Sequence, residues 1–349
     1  MKLLITGGGG FLGARLARTL LQAGQLAGQP IASIVLTDIA PPPPDLLADA
    51  RVQAATGPLL NQIGALREHR FDGVFHLASA VSGECEADFD LGMRSNLDST
   101  RALLDALRAQ AAAGGPVARL VFSSSIAVFG PDPGVPLPTP VADTTLPAPQ
   151  TSYGTQKLVC EHLLADYTRK GFIDGRSARL MTVTVRPGKP NGAASSFFSG
   201  IIREPLAGVD AVCPVGPEVS HPVSSPARTV DGLIKVFEAS REALGGRLAL
   251  NLPGLNVTVA DMLAALEQVA GRAVRERVRF ERDERIETIV GGWARGATAE
   301  RAARLGLAPH ERFTDIIEQY IADCRARPDA ALTLKGLDMK GNDVKEQSA

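Results

Sequence analysis

The stretch KLLITGGGGFLG, residues 2–13, constrains the fold more than any other part of the chain, because a short apolar strand runs straight into glycines at 7, 10 and 13. Each glycine has its own physical task. Gly7 permits the tight turn out of the strand, Gly10 lets the backbone approach a pyrophosphate, and Gly13 lets the next helix pack closely on the sheet. The helix N-terminus opening at Phe11 and Leu12 then faces phosphate oxygens. An isolated glycine spacing is also what an ordinary flexible loop presents. Here FLGARLARTLLQAG follows with apolar residues at helical spacing, and a second apolar strand, IASIVLTD, ends in Asp38, which completes a βαβ unit. An acid at that strand end accepts hydrogen bonds from the ribose hydroxyls of NAD and repels the 2′-phosphate of NADP. The competing reading of Asp38 is a helix cap or turn former before Pro41 to Pro44.

Charge excludes several partner classes. With 37 basic and 38 acidic residues among 349, the net charge of −1 gives no field to recruit nucleic acid or an anionic membrane. Cys85, Cys160, Cys213 and Cys324 lie far apart, with neither metal-ligand spacing nor the density of a secreted disulfide scaffold, so they read as reduced cytosolic thiols and no metal site is expected. Glycines interrupt the opening MKLLIT before an apolar region of signal-peptide length develops. No run approaches the roughly 18 apolar residues of a membrane helix. A soluble, cytoplasmic protein acting on a small molecule is expected.

Strand-like runs recur at 71–78 (FDGVFHLA), 118–125 (ARLVFSSS) and 178–188 (ARLMTVTVRPG), separated by helical patterns such as DFDLGMRSNLDSTRALLDALRAQAAA. Strands this apolar are buried on both faces, which implies an α/β fold with a doubly wound parallel sheet, the Rossmann architecture, and ligands collecting at the carboxyl edge of the strands. Residues 1–188 with about 229–252 are expected to form the nucleotide-binding domain. About 189–228 and 253–330 would form a smaller mixed α/β lobe over the ligand, built from SSFFSGIIREPLAG, LALNLP, VADMLAALEQVAG and RVRFERDE, and TVDGLIKVFEA would return to the first domain. The polar, aperiodic residues 331–349 read as a flexible tail.

Tyr153 and Lys157, in TSYGTQKLVCEHLLADY, are four residues apart at the start of a helix and share a face. A phenol with an ordinary pKa of about 10 is a poor base at neutral pH, and a neighbouring ammonium favours the phenolate. The same spacing is common helix-surface decoration and gains meaning only beside the glycine loop. Ser125, at the end of the strand VFSSS, can bind a reacting oxygen at the same sheet edge. Ser124 reads instead as satisfying backbone groups at the strand end.

In order, TGGGGFLG, Asp38, the HLAS run from His76 to Ser79, Asn96, SSSIAVFG and YGTQK resemble the extended short-chain dehydrogenase/reductase family over about residues 1–190. That resemblance implies that NAD(P) carries a hydride, that Tyr153 is the base and that Lys157 and Ser125 assist it. It places Leu59, Leu77, Ala78, Ser79, Asn96, Ser123, Pro187 and Gly188 around the cofactor, with Lys157 also on its ribose. One departure stands out: the family's third strand usually ends in Asp and an aliphatic residue at the adenine, whereas this chain reads Gly57, Pro58, Leu59.

Most extended members act on nucleotide sugars as epimerases or dehydratases. The acidic pair of a dehydratase is missing beside Ser125, and the region entering the second lobe reads SHPVSSPARTV rather than the Arg-Asp-aromatic-x-His-Val of many nucleotide-sugar enzymes. Residues 80–92 and 186–208 are instead similar to a branch of the family that oxidises the four-carbon sugar acid D-erythronate at C2 with NAD, giving 2-oxo-tetronate. Such a substrate needs a cation and hydroxyl partners near the nicotinamide. Lys189 and Arg203 are the candidate cations, Arg203 also being placed to pair with Glu204 or face solvent. Ser82, Asn191, Ser195 and Ser196 are candidate hydroxyl partners that could equally satisfy loop backbone. His221 and Trp293 read as rim or core residues. A sensor using the fold without chemistry would have no need of the intact Ser, Tyr and Lys. The helices at about 87–112 and 151–170 resemble those that pair between subunits in this family, so a homodimer is expected.

Overall fold

The computed structural model describes residues 1–188, 193–326 and 333–337. Its centre is a seven-stranded parallel sheet. The strands are β1 (Lys2–Thr6), β2 (Ser33–Asp38), β3 (Val52–Thr56), β4 (Gly73–His76), β5 (Arg119–Ser125), β6 (Asp174–Leu180) and, much later in the chain, Leu250–Asn251. The last of these adds to β6, with Leu250 opposite Ala178, so the spatial order is Leu250–Asn251, β6, β5, β4, β1, β2, β3. Leu3 and Ile5 pack into one hydrophobic cluster while Leu4, between them, packs into another. That alternation is the period of two of a strand, and because both faces are covered the three central residues, Leu3, Leu4 and Ile5, are all apolar.

Helix α1 (Phe11–Ala23) covers one face with the later helix Pro226–Glu238. The other face carries α2 (Leu59–Leu66), α3 (Ser99–Ala112) and α4 (Ser152–Arg169). The long helix expected from residue 88 is interrupted. A helical turn at Phe89–Gly92 passes into a π-helical segment, Met93–Asp98, before α3 begins.

The strand expected over 178–188 also divides. β6 ends at Leu180, and Thr182–Val183 leaves the main sheet for a three-stranded one, parallel to Ser220–Ser224, which pairs antiparallel with Leu255–Thr258. The Thr184 amide donates to the Ser224 carbonyl at 2.9 Å, so the chain turns over the carboxyl edge of the sheet at this point. The second core lies beyond it, where α5 (Phe197–Leu206), the helix Val259–Ala270 and the helix Phe313–Arg325 enclose Phe198, Ile202, Met262, Leu266 and Ile317. Pro226–Glu238 and Leu250–Asn251 belong to the main sheet's layers, and so, against the expected range of 253–330 for the second lobe, does the helix Glu300–Arg304, whose Ala302 is buried in the same cluster as Val230 and Leu250. Within the expected tail, residues 333–337 are packed: Leu334 is buried in the second core and the Gly336 amide donates to the Leu206 carbonyl at 2.8 Å. An apolar leucine inside a polar stretch overrode the composition there. Arg15 of α1 and Asp323 near the chain's end form an ion pair at 2.5 Å.

Candidate active site

The glycine loop is built as its spacing requires. Gly7 has φ +73, and a Cβ on Gly13 would lie 2.1 Å from the Gly7 carbonyl oxygen, so α1 touches the turn only because residue 13 has no side chain. α1 starts from Gly10 with no side-chain cap and no acid in its first turn. Its first amides, on Phe11 and Leu12, lack intrahelical acceptors, and their positive end is left for a ligand anion. Asp38 forms the local turn given as its competing reading and also braces the glycine loop. One carboxylate oxygen accepts from the Gly9 and Gly10 amides at 3.0 and 3.1 Å, and the other accepts from Ala40 at 3.2 Å in a local turn. The same acid thus fixes the loop and presents charge at the end of β2. Pro58 precedes α2, whose first residue, Leu59, is buried.

The end of β4 forms the next wall. The Leu77 and Ala78 amides both donate to the Thr6 hydroxyl at 3.1 Å, beside Gly7. Asn96, buried in the π-helical segment, accepts from the Ser79 hydroxyl at 2.9 Å and the Ala80 amide at 2.8 Å, and donates to Gln156 of α4 at 2.8 Å. His76 sits beneath this wall between the Thr6 and Thr100 hydroxyls, at 2.6 and 2.8 Å. Burial, reinforced by the Lys157 charge, pushes its pKa down to about 3, so the ring is neutral.

α4 brings in Tyr153 and Lys157. Thr151 caps the helix through the Gly154 amide at 3.0 Å, and a Cβ on Gly154 would lie 2.2 Å from the Ala127 carbonyl oxygen. The helix start is therefore pressed onto the turn that follows β5, which sets Tyr153 beside Ser125. Burial pushes the Tyr153 phenol up, while a hydrogen bond with Ser125 and the Arg186 guanidinium pull it back. The Lys157 ammonium donates to the Ser123 carbonyl at 2.8 Å, 5.5 Å from the Tyr153 ring centre, and burial lowers it to about 8. The cation that acts on the phenol is thus Arg186, where helical spacing suggested Lys157. The Ser123 hydroxyl donates to the His76 carbonyl at 3.1 Å. Ser124 does not cap backbone as expected: its hydroxyl donates to Glu161 at 2.5 Å, and that carboxylate holds Arg179 through two contacts of 2.9 and 2.7 Å. A buried carboxylate demands charged and polar partners, and Arg179 and the Ser124 hydroxyl supply them.

Beyond β6, Arg186, Pro187 and Gly188 lead toward the second lobe, where Gly188 has φ +86. Lys189 and Asn191 lie outside the described residues. Arg203 is buried and donates to Glu204 at 2.5 Å and to the Arg186 carbonyl at 2.9 Å, so its guanidinium is occupied by the chain itself. Ser195 accepts from Arg186 at 2.9 Å. Ser196 is half-buried beside it, and Ser82 opens a short helix, Ser82–Ala87, on the opposite rim. His221 is buried against Phe198 and Trp293 and bonds Thr182, which makes it a core residue of the second lobe. Arg186 itself escaped the sequence reading. A lone arginine closing an otherwise neutral apolar strand, TVTVR, was the available signal.

A glycine loop after the first parallel strand, an acid ending the second, and Ser125, Tyr153 and Lys157 gathered at the same edge define a Rossmann-fold oxidoreductase of the nicotinamide-dependent kind. The chain belongs to the NAD dependent epimerase/dehydratase family, which it matches over residues 3–217, and NAD is its cofactor. It is 51% identical over 329 residues to D-erythronate dehydrogenase of Cupriavidus necator, covering 93% of this chain and 98% of that one. It is 43% identical to D-erythronate dehydrogenase of Haemophilus influenzae, covering 92% and 99%. A solved structure of a nucleoside-diphosphate-sugar epimerase from Agrobacterium tumefaciens has a TM-score of 0.87 at 44% identity, covering 93% of this chain and 94% of that one. Among the described residues no helix is long and apolar enough to cross a membrane, and no cluster of His, Cys, Asp and Glu could hold a metal.

Proposed function

We propose that the protein oxidises D-erythronate at C2 to 2-oxo-tetronate with reduction of NAD. The observation that carries this is the 51% identity to a D-erythronate dehydrogenase over 98% of that protein's length. Two features of the site support it: the loop fits a dinucleotide, and a phenol and a serine hydroxyl stand together at its open edge.

NAD, when bound, supplies the hydride acceptor. The chain's residues manage position and proton. Asp38 selects the unphosphorylated ribose, and Gly7, Gly10, Phe11, Leu12 and Gly13 receive the pyrophosphate, with Leu59, Leu77, Ala78, Ser79, Asn96, Ser123, Pro187 and Gly188 around it. Ser125 holds the substrate's C2 hydroxyl while Tyr153 takes its proton as C2 loses its hydride. Lys157, fixed by the Ser123 carbonyl, holds the ribose and carries the proton onward from the phenol. Ser82, Ser195 and Ser196 are hydroxyl partners for the substrate. The nucleotide-sugar reading has in its favour the name of the Agrobacterium relative and more distant UDP-glucose 4-epimerases at 26 to 30% identity. Its expected marks beside Ser125 and at 220–230 are absent from this sequence.

Purified protein mixed with NAD or NADP and a panel of D-erythronate, L-threonate, other aldonates and UDP-sugars, read by NADH absorbance, tests the proposal. Turnover of D-erythronate with NAD is expected; binding of UDP-sugars with no acid oxidised would overturn it. The same reading makes the protein a cytoplasmic homodimer. Its four cysteines are buried and form no disulfide, and Phe89 and Val159 are exposed on the two helical stretches expected to pair. A monomer mass by light scattering removes the dimer.

A further inference from the structure

The charges at the substrate end of the site do not cancel. Two guanidiniums, Arg186 and Arg203, meet there with one carboxylate, Glu204, and Glu204 is taken by Arg203 at 2.5 Å. Arg186 is held only by neutral acceptors: Nε donates to the Val183 carbonyl at 2.9 Å and Nη2 to the Ser195 hydroxyl at 2.9 Å. Its backbone is fixed as well, the amide donating to Ser199 at 3.0 Å and the carbonyl accepting from Arg203 at 2.9 Å. Among the described residues no carboxylate faces it. The charges that act on it are Arg203, which repels it, and the Tyr153 phenol, which favours it. A half-buried guanidinium with a fixed backbone, a fixed side chain and no counter-ion is a site built for an anion.

We propose that Arg186 binds the substrate's C1 carboxylate and so restricts the enzyme to 2-hydroxy acids. In such an acid the carboxylate is bonded directly to the carbon that carries the reacting hydroxyl. A cation that receives it must stand next to the base, and Arg186 is the arginine whose charge acts on Tyr153. Lys189, placed three residues further along the chain, and Arg203, committed to Glu204, are not needed for this task. The anchor also links recognition to chemistry. In the free enzyme the guanidinium favours the phenolate, and a bound carboxylate neutralises it at the moment Tyr153 becomes the proton acceptor.

This inference rests on the dehydrogenase reading, and the experiment separates the two. Full-length wild type, Arg186→Gln, Arg186→Lys and Arg203→Gln are assayed with NAD against D-erythronate and against its uncharged C1 amide, with NAD affinity measured for each as a check on folding. The expected result is a loss of about 100- to 1,000-fold in kcat/KM for the acid in Arg186→Gln, as for removal of one partner from a buried charge pair. The amide should change by less than about tenfold, and Arg186→Lys should recover part of the acid turnover. The acidic limb of kcat/KM, where the free enzyme's base takes up its proton, should move to higher pH in Arg186→Gln. Equal losses for acid and amide, or an acid-selective loss in Arg203→Gln instead, would overturn the anchor. Wild type that turns over no 2-hydroxy acid at all strikes the dehydrogenase reading itself.

Discussion

Asn96 and Gln156 meet side chain to side chain at 2.8 Å, which ties the π-helical segment to α4 one residue before Lys157. The extra backbone residue in that segment turns Asn96 inward, where it also receives the Ala80 amide and the Ser79 hydroxyl. Replacing Asn96 by Ala leaves the Ala80 amide and the Gln156 oxygen buried without partners. A loss of about 2 to 3 kcal/mol in urea unfolding is expected. Turnover should fall as well, because the strand-end wall and the Lys157 helix lose their shared brace.

Tyr153→Phe keeps the ring packed beside Lys157 and removes only the hydroxyl that faces Ser125. Turnover should drop by about 100-fold or more with NAD affinity unchanged. Stopped-flow hydride transfer and NAD titration measure the two separately, and retained turnover would place the base elsewhere.

Gly57 and Pro58 stand where the family resemblance leads one to expect an acid at the adenine. Pro58 immediately precedes α2, which starts without a side-chain cap. Pro58→Asp should therefore tighten NAD binding and, by capping α2, add about 1 kcal/mol of stability. Calorimetry reads the first effect and thermal unfolding the second; an unchanged dissociation constant excludes the missing adenine contact.

His76 and His221 are both buried as neutral rings, His221 being lowered to about 4 by burial with partial opposition from the Ala294 carbonyl. Unfolded histidines protonate near pH 6.5. Between there and the folded values the unfolded chain binds more protons, so stability is full above pH 6.5 and declines as pH falls toward 4 and 3. The expected slope is about 1.4 kcal/mol per pH unit for each ring. Urea midpoints at pH 5.5 and 5.0, where the unfolded rings are almost fully protonated, approach that slope, and His76→Asn should remove about half of it.

The nucleotide half was legible because its tasks fall to local sequence: a glycine spacing, an acid at a strand end, and a Tyr and Lys one helical turn apart. What escaped depends on contacts distant in the chain. Nothing near Ser124 announces Glu161, 37 residues on, as its partner. The break after Leu180 is set by Ser224, which competes for the backbone beyond β6. Arg186 gained its place from Val183, Ser195, Ser199 and Arg203, none of which forms a motif with it. The alternation of apolar residues located the strands but could not indicate which sheet a strand would join.

The edge strand at Leu250–Asn251 has a consequence for synthesis. A growing chain that has left the ribosome as far as Gly188 already carries the glycine loop, Ser125, Tyr153 and Lys157, yet its sheet ends at β6 with an open edge and with one face short of the helix Pro226–Glu238. More than sixty further residues must emerge before that edge closes. The nucleotide half is therefore translated ahead of the second lobe and is finished only after the chain has made its excursion into that lobe.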